Sequence, residues 1–143
     1  MREYKSLSHT KWDCKYHVVF IPKRRKKVIY GQLRQYLGQM FHELVTHKEA
    51  EIVEGHLRPD HVHMCLSIPP KYAVSGVVGY LKGKSAIMIA RQFSGKERNF
   101  TGENFWARGY FVSTVGLDEA TVRAYIRNQE EEEARYEQMK LGL

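Results

Sequence analysis

Residues 60–68 read Asp60-His61-Val62-His63-Met64-Cys65-Leu66-Ser67-Ile68, and their alternation decides the fold. Positions 62, 64, 66 and 68 are Val, Met, Leu and Ile, while 61, 63, 65 and 67 are His, His, Cys and Ser. A period of two describes a strand with one face in a core and polar side chains on the other. His61 and His63 therefore project side by side from one face, where two imidazoles can hold a single cation. Arg58-Pro59-Asp60 is the turn that leads into this strand.

Working outward, Ala50–Leu57 reads as a second strand paired through that turn. Before it, residues 32–48 carry Leu33, Tyr36, Leu37, Met40, Phe41, Leu44 and Val45 at helical spacing. Earlier still, Trp12–Ile21 is aromatic and β-branched and stops at Pro22, as a strand does. Pro69-Pro70 closes the histidine strand, and a helix follows over 74–93 with Val77, Val78, Leu81, Ile87, Met88 and Ile89 among its apolar positions. Phe105–Val115 reads as a fourth strand. Gly116 breaks it, and Asp118 is a suitable N-cap for a last helix over 118–139. The order β-α-β-β-α-β plus one helix is an α+β, ferredoxin-like plan, with two helices on one face of an antiparallel sheet. The opposite face is expected to be free and to carry His61 and His63. One domain spanning 1–143 accommodates all of it.

The charge narrows the partners. Net charge is +7, and it is unevenly spread. Residues 1–117 hold nineteen Lys and Arg against nine Asp and Glu, a net of +10. A basic body ahead of an acidic C-terminal helix points to a polyanion. The run Lys23-Arg24-Arg25-Lys26-Lys27, with Tyr30 close behind, is read as a phosphate-binding loop. Leu81-Lys82-Gly83-Lys84-Ser85 looks like the end of a phosphate-binding P-loop. That motif needs glycine at 78, which is Val78, and a strand-to-helix loop rather than a mid-helix position. No nucleotide cofactor is expected, and Lys82 and Lys84 are better read as nucleic-acid phosphate contacts. No apolar run nears the roughly 18 residues of a membrane span, and the first residues lack a signal-peptide core. Cys14 and Cys65 are expected to be reduced thiols in a cytoplasmic protein.

The chemistry resides in few residues. Tyr125 and Gln129 lie four apart in the last helix and share a face. A phenol ionises near pH 10, so a tyrosine nucleophile needs a cation or base beside it. A divalent ion on His61 and His63 would polarise a phosphate and stabilise the leaving oxygen. The amide oxygen of Gln129 is a candidate third ligand. Asp60 adjoins the pair but is also a natural turn residue, and it is left outside the site.

These residues resemble a known family. His61-Val62-His63 matches the HUH motif, and Tyr125-Ile126-Arg127-Asn128-Gln129 matches the Y-x-x-x-Q of its nucleophile helix. The strings Lys5-Ser6-Leu7, His9-Thr10, Cys14-Lys15-Tyr16-His17, Val74-Ser75-Gly76, Gly79-Tyr80-Leu81-Lys82-Gly83-Lys84-Ser85 and Phe105-Trp106-Ala107-Arg108-Gly109-Tyr110 agree with it. Over residues 5–137 the chain is similar to the single-tyrosine transposases, called TnpA, of the insertion-sequence-two-hundred type.

That resemblance implies a metal-dependent transposase acting on single-stranded DNA. It casts Tyr125 as the nucleophile that forms a 5′-phosphotyrosine bond, with His61, His63 and Gln129 holding Mg²⁺ or Mn²⁺. It also implies recognition of imperfect hairpins at the element ends. The family's homodimer has the tyrosine helix of one protomer completing the partner's histidine site. In a bacterial or archaeal cell such an enzyme works at the nucleoid. Three other readings stay open on the residues alone. One is a domesticated relative that processes genomic palindromes. Another is a non-catalytic single-strand nucleic-acid-binding domain that stacks bases on sheet aromatics. The third is a small metal-dependent phosphohydrolase using activated water.

Overall fold

The computed structural model describes residues 5–7, 10–94 and 105–115. The chain divides into two compact units, Tyr4–Thr114 and a second made of Met1–Glu3 with Val115–Leu143. Nearly all the described residues belong to the first. It contains β1 (Lys5–Leu7), β2 (Thr10–Trp12), β3 (Lys15–Phe20), α1 (Gly31–Thr46), β4 (Glu51–Arg58), β5 (His61–Ser67), α2 (Val74–Ile89) and β6 (Phe111–Thr114).

The main sheet has four strands in the order β4-β5-β3-β6, each pair antiparallel. With α1 joining β3 to β4 and α2 joining β5 to β6, this is the ferredoxin-like arrangement expected from the sequence. The alternation of β5 works as anticipated. Val62, Met64 and Leu66 are buried and lie opposite Phe20, Val18 and Tyr16 of β3. Helix α1 covers this face with Leu37, Met40, Phe41, Leu44 and Val45, and α2 adds Val77, Val78, Leu81, Ala86 and Ile89. Phe20 meets Phe41 and Trp106 edge-on or nearly so, at ring separations of 6.0 and 4.7 Å.

Three details depart from the sequence-based expectation. Trp12 does not open the first main strand. It ends a separate two-stranded ribbon of β1 and β2, and β3 begins only at Lys15. Nor is Phe105–Val115 one continuous strand. Trp106 forms an isolated bridge to Pro22, the chain then leaves the ladder, and Gly109 takes a φ of +78° before β6 begins. A left-handed residue cannot continue a strand, and glycine adopts it at no steric cost. The carbonyls of Ala107 and Gly109 are instead met by the Lys82 ammonium at 2.8 and 2.6 Å. Finally, the second face of the sheet is not uniformly open. His17, Cys65 and Ser67 on that face are 6%, 4% and 2% exposed, so its middle is covered while His56, His61 and Phe111 keep accessible side chains.

Mid-helix placement of residues 81–85 holds. Ser85 is fully buried, accepts the Trp106 Nε1–H at 2.9 Å and donates to the Lys82 carbonyl. It ties α2 to the segment ahead of β6. Among the described residues no helix is long and apolar enough to cross a membrane.

Candidate active site

The turn Pro59-Asp60 joins β4 to β5 so that Arg58 pairs with His61, and the register then places His56 opposite His63. On the other side of β5, His63 pairs with Val19 and Cys65 with His17, while Val19 and His17 pair in turn with Phe111 and Ser113. Directly opposed residues share a face. One row across the sheet is thus Phe111, Val19, His63 and His56, and the next is Ser113, His17, Cys65 and Glu54. Four histidines, 17, 56, 61 and 63, occupy one face at neighbouring positions.

Their contacts are specific. His61 Nδ1 lies 2.9 Å from Asp60 Oδ1, and Arg25 Nε donates to Asp60 Oδ2 at 3.1 Å. His63 Nε2 is bonded to His17 Nδ1 at 3.2 Å, with ring centroids 5.2 Å apart. The His56 ring lies 6.2 Å from that of His63, and His56 Nε2 lies 3.7 Å from Glu54 Oε1. Burial, reinforced by His56 and His61, holds the His63 imidazole below its ordinary value of 6.5, and Glu54 opposes this. Burial and then His63 lower His17 in the same way. Both rings are therefore biased towards the neutral form that binds metals. The hydrogen bond with His61, and secondarily the Arg25 charge, keep the Asp60 carboxyl below the usual carboxylate range.

The donor set suits a divalent cation in part. An ionised carboxylate only accepts hydrogen bonds, so His61 Nδ1 carries the proton and its Nε2 is the nitrogen left to a metal. For His63, a metal can use Nδ1 while Nε2–H donates to His17, or the ring must turn and give up that bond. Among the described residues no three His, Cys, Asp or Glu side chains converge into a ready-made metal cluster. His61 and His63 offer two imidazole donors, and the other ligands of any divalent cation held there would have to come from other groups.

Tyr125 and Gln129 lie outside the described residues. The other sequence-derived candidates are placed. Lys23, Arg24 and Arg25 form a short 3-10 turn directly after β3, all exposed. Arg24 and Arg25 have φ of +60° and +52°, a left-handed conformation that costs a non-glycine residue on the order of 1 kcal/mol. The loop is pinned to the histidine turn, because Val28 N and Ile29 N both donate to the Pro59 carbonyl at 3.0 and 3.1 Å. This basic loop and His61 are thus neighbours. Lys82 is not part of that group: its ammonium is engaged by backbone carbonyls and sits 5.8 Å from the Phe20 ring, on the helix-covered side. Burial lowers its pKa from the ordinary 10.5. Lys84 is exposed, with its ammonium 5.9 Å from the Tyr80 ring.

His17, His56 and Asp60 are additions that the sequence reading did not place in the site. For His56 the turn was the obstacle: Arg58-Pro59-Asp60 reads as the connection, whereas Arg58 belongs to β4, and only the resulting two-residue turn sets His56 opposite His63. For His17 the cue was the alternation with Val18 and Phe20, which turns it to the histidine face.

A family model described as "Transposase IS200 like" matches residues 10–129. The transposase for insertion sequence element IS200 of Salmonella typhimurium is 44% identical over 141 residues, which is 99% of this chain and 93% of that protein. The ISDra2 transposase TnpA of Deinococcus radiodurans is 28% identical over 123 residues, covering 85% of this chain and 88% of that one. Among solved structures, a protein proposed to be a transposase from Deinococcus radiodurans R1 superposes with a TM-score of 0.69 at 26% identity, over 87% of this chain and 97% of that chain. A REP-associated tyrosine transposase bound to a REP hairpin shares the fold, with a TM-score of 0.56 at 18% identity over 92% and 74% of the two chains.

Proposed function

The chain belongs to the family of IS200-like transposases, and we propose that it cleaves and rejoins single-stranded DNA through a covalent bond to Tyr125. The observation that carries this is the placement of His61 and His63 on one sheet face beside a basic loop. In the proposed step the Tyr125 oxygen attacks the scissile phosphorus, and the bond from phosphorus to the 3′ oxygen breaks. A 5′-phosphotyrosine and a free 3′-hydroxyl result, the phenolic proton leaves to solvent and the 3′ oxygen takes one up. Attack of a 3′-hydroxyl on the phosphotyrosine reverses these changes and frees Tyr125, so no nucleotide hydrolysis is needed.

His61, His63 and Gln129 are the proposed holders of Mg²⁺ or Mn²⁺, which when bound would neutralise charge on the scissile phosphate. Imidazole ligands favour Mn²⁺ over Mg²⁺, which prefers oxygen. Lys23, Arg24 and Arg25 are proposed to bind phosphates leading to the site, and Lys84 to bind them from α2. The REP hairpin bound by the relative supports a hairpin DNA partner. The protein is proposed to act at cellular DNA as a homodimer, the tyrosine helix of each protomer serving the partner's histidines.

Single-stranded oligonucleotides carrying the DNA that flanks the gene, incubated with Mn²⁺ or chelator and run on a denaturing gel, test the reading. The expected result is a protein–DNA adduct that requires metal and is absent in Tyr125→Phe. Hydrolysed product without an adduct would replace it with activated-water chemistry. A second reading, a non-catalytic binding module, draws on Phe111, which is 61% exposed on the histidine face and available for base stacking. Tight binding to a verified element end without cleavage would favour that module.

A further inference from the structure

We propose that Asp60 is a positioning residue, held by Arg25, that fixes which nitrogen of His61 is offered to the metal. The inference rests on the metal site proposed above and extends it to two residues with no ligand role there. Four contacts form the chain: Arg25 Nε to Asp60 Oδ2 at 3.1 Å, Asp60 Oδ1 to His61 Nδ1 at 2.9 Å, and the Pro59 carbonyl accepting from both Val28 and Ile29.

A neutral imidazole in water distributes its proton between two nitrogens, and only the bare one can bind a cation. A carboxylate 2.9 Å from Nδ1 selects the form with the proton there, turns Nε2 outward and makes it a better donor. Asp60 has a partner for its other oxygen as well: Arg25 Nε donates to Oδ2, which favours the orientation that aims Oδ1 at His61. The left-handed φ values at Arg24 and Arg25 show that the basic loop takes up an unfavourable backbone conformation while making this contact. The turn residue thus couples the phosphate-binding loop to the metal ligand, and Arg25 acts on the site through Asp60.

The test uses the full-length protein labelled with ¹⁵N at histidine, without metal and at a pH where imidazoles are neutral. Imidazole nitrogen shifts identify the protonated atom of His61, and Mn²⁺ titration followed by electron paramagnetic resonance gives the affinity. The wild-type protein is expected to show His61 protonated at Nδ1. Asp60→Ala should lose that bias and bind Mn²⁺ about 10- to 100-fold more weakly. Asp60→Asn keeps an oxygen acceptor and should restore the tautomer and most of the affinity; a purely structural role for the turn would leave the His61 tautomer unmoved in every folded variant. Arg25→Ala should fall between the two. An unchanged tautomer and affinity in a folded Asp60→Ala would overturn the proposal, as would Nε2 protonation in the wild type. The predicted tautomer, its loss in Asp60→Ala and no Mn²⁺ binding by the wild type would support the positioning and overturn the metal site instead.

Discussion

Lys82 is engaged by the fold itself. Its ammonium donates to the carbonyls of Ala107 and Gly109, where the chain leaves the sheet between Trp106 and β6. A hydrogen bond to a charged group contributes about 1.5–3 kcal/mol where water is excluded. Here Ala107 is half-buried and Gly109 exposed, so water can replace much of each bond in a variant. A combined loss of about 1–2 kcal/mol is the reasonable magnitude for Lys82→Met. Methionine keeps an apolar stem beside Phe20 and limits any cavity. In a chain of this size that loss lowers the melting temperature by roughly 5 °C. Thermal and urea unfolding measure it, while oligonucleotide binding over a salt series measures the alternative. Each phosphate contact on single-stranded DNA adds about 0.7 to the slope of log affinity against log salt. The expected outcome for Lys82→Met is reduced stability with an unchanged slope. Unchanged stability with a slope smaller by about 0.7 would refute the reasoning and make Lys82 a phosphate ligand.

Lys84→Ala is the matching control: its exposed ammonium should matter to stability by less than about 0.5 kcal/mol, while the salt slope falls. Stability should also depend on pH through His17 and His63. Both are held below 6.5 in the folded protein, so the unfolded chain protonates first as pH falls. Their contribution is complete above about pH 6.5 and declines below it; urea midpoints that stay flat from pH 7.5 to 5.5 would contradict this. Mixing His61→Ala with Tyr125→Phe protein should restore part of the cleavage lost in each, and mixed dimers that form yet remain inactive would exclude active sites shared between protomers. Phe41→Ala, which empties the space beside Phe20 and Trp106, should cost about 3–5 kcal/mol in equilibrium unfolding.

Much of this fold could be read because its main elements follow simple periods. The alternation of residues 61–68 and the helical spacing of Leu37, Met40, Phe41, Leu44 and Val45 each have one packing solution. What escaped the sequence depends on contacts between distant segments. Nothing local to 105–110 announces that Lys82 will cap its carbonyls or that Ser85 will meet Trp106. The burial of Cys65 and Ser67 on the second face is equally a tertiary matter. The β1–β2 ribbon was missed because Trp12 and residues 15–20 form one aromatic, β-branched run, and composition alone does not mark the break at Asp13-Cys14.

The histidine site joins these two kinds of information. His61 and His63 are set by periodicity within one strand, and that placement survives any packing that keeps the other face buried. Their partners are set by register, which a single turn controls. With Pro59-Asp60 as a two-residue connection, Arg58 must oppose His61 and His56 must oppose His63. A one-residue slip of this register would turn the side chains of one strand to the opposite face. It would also carry Asp60 away from both Arg25 and His61. The turn thus has a double task, aligning the sheet and orienting the ligand. A substitution at Asp60 that preserves the register separates them: fold stability follows the first task, and metal affinity the second.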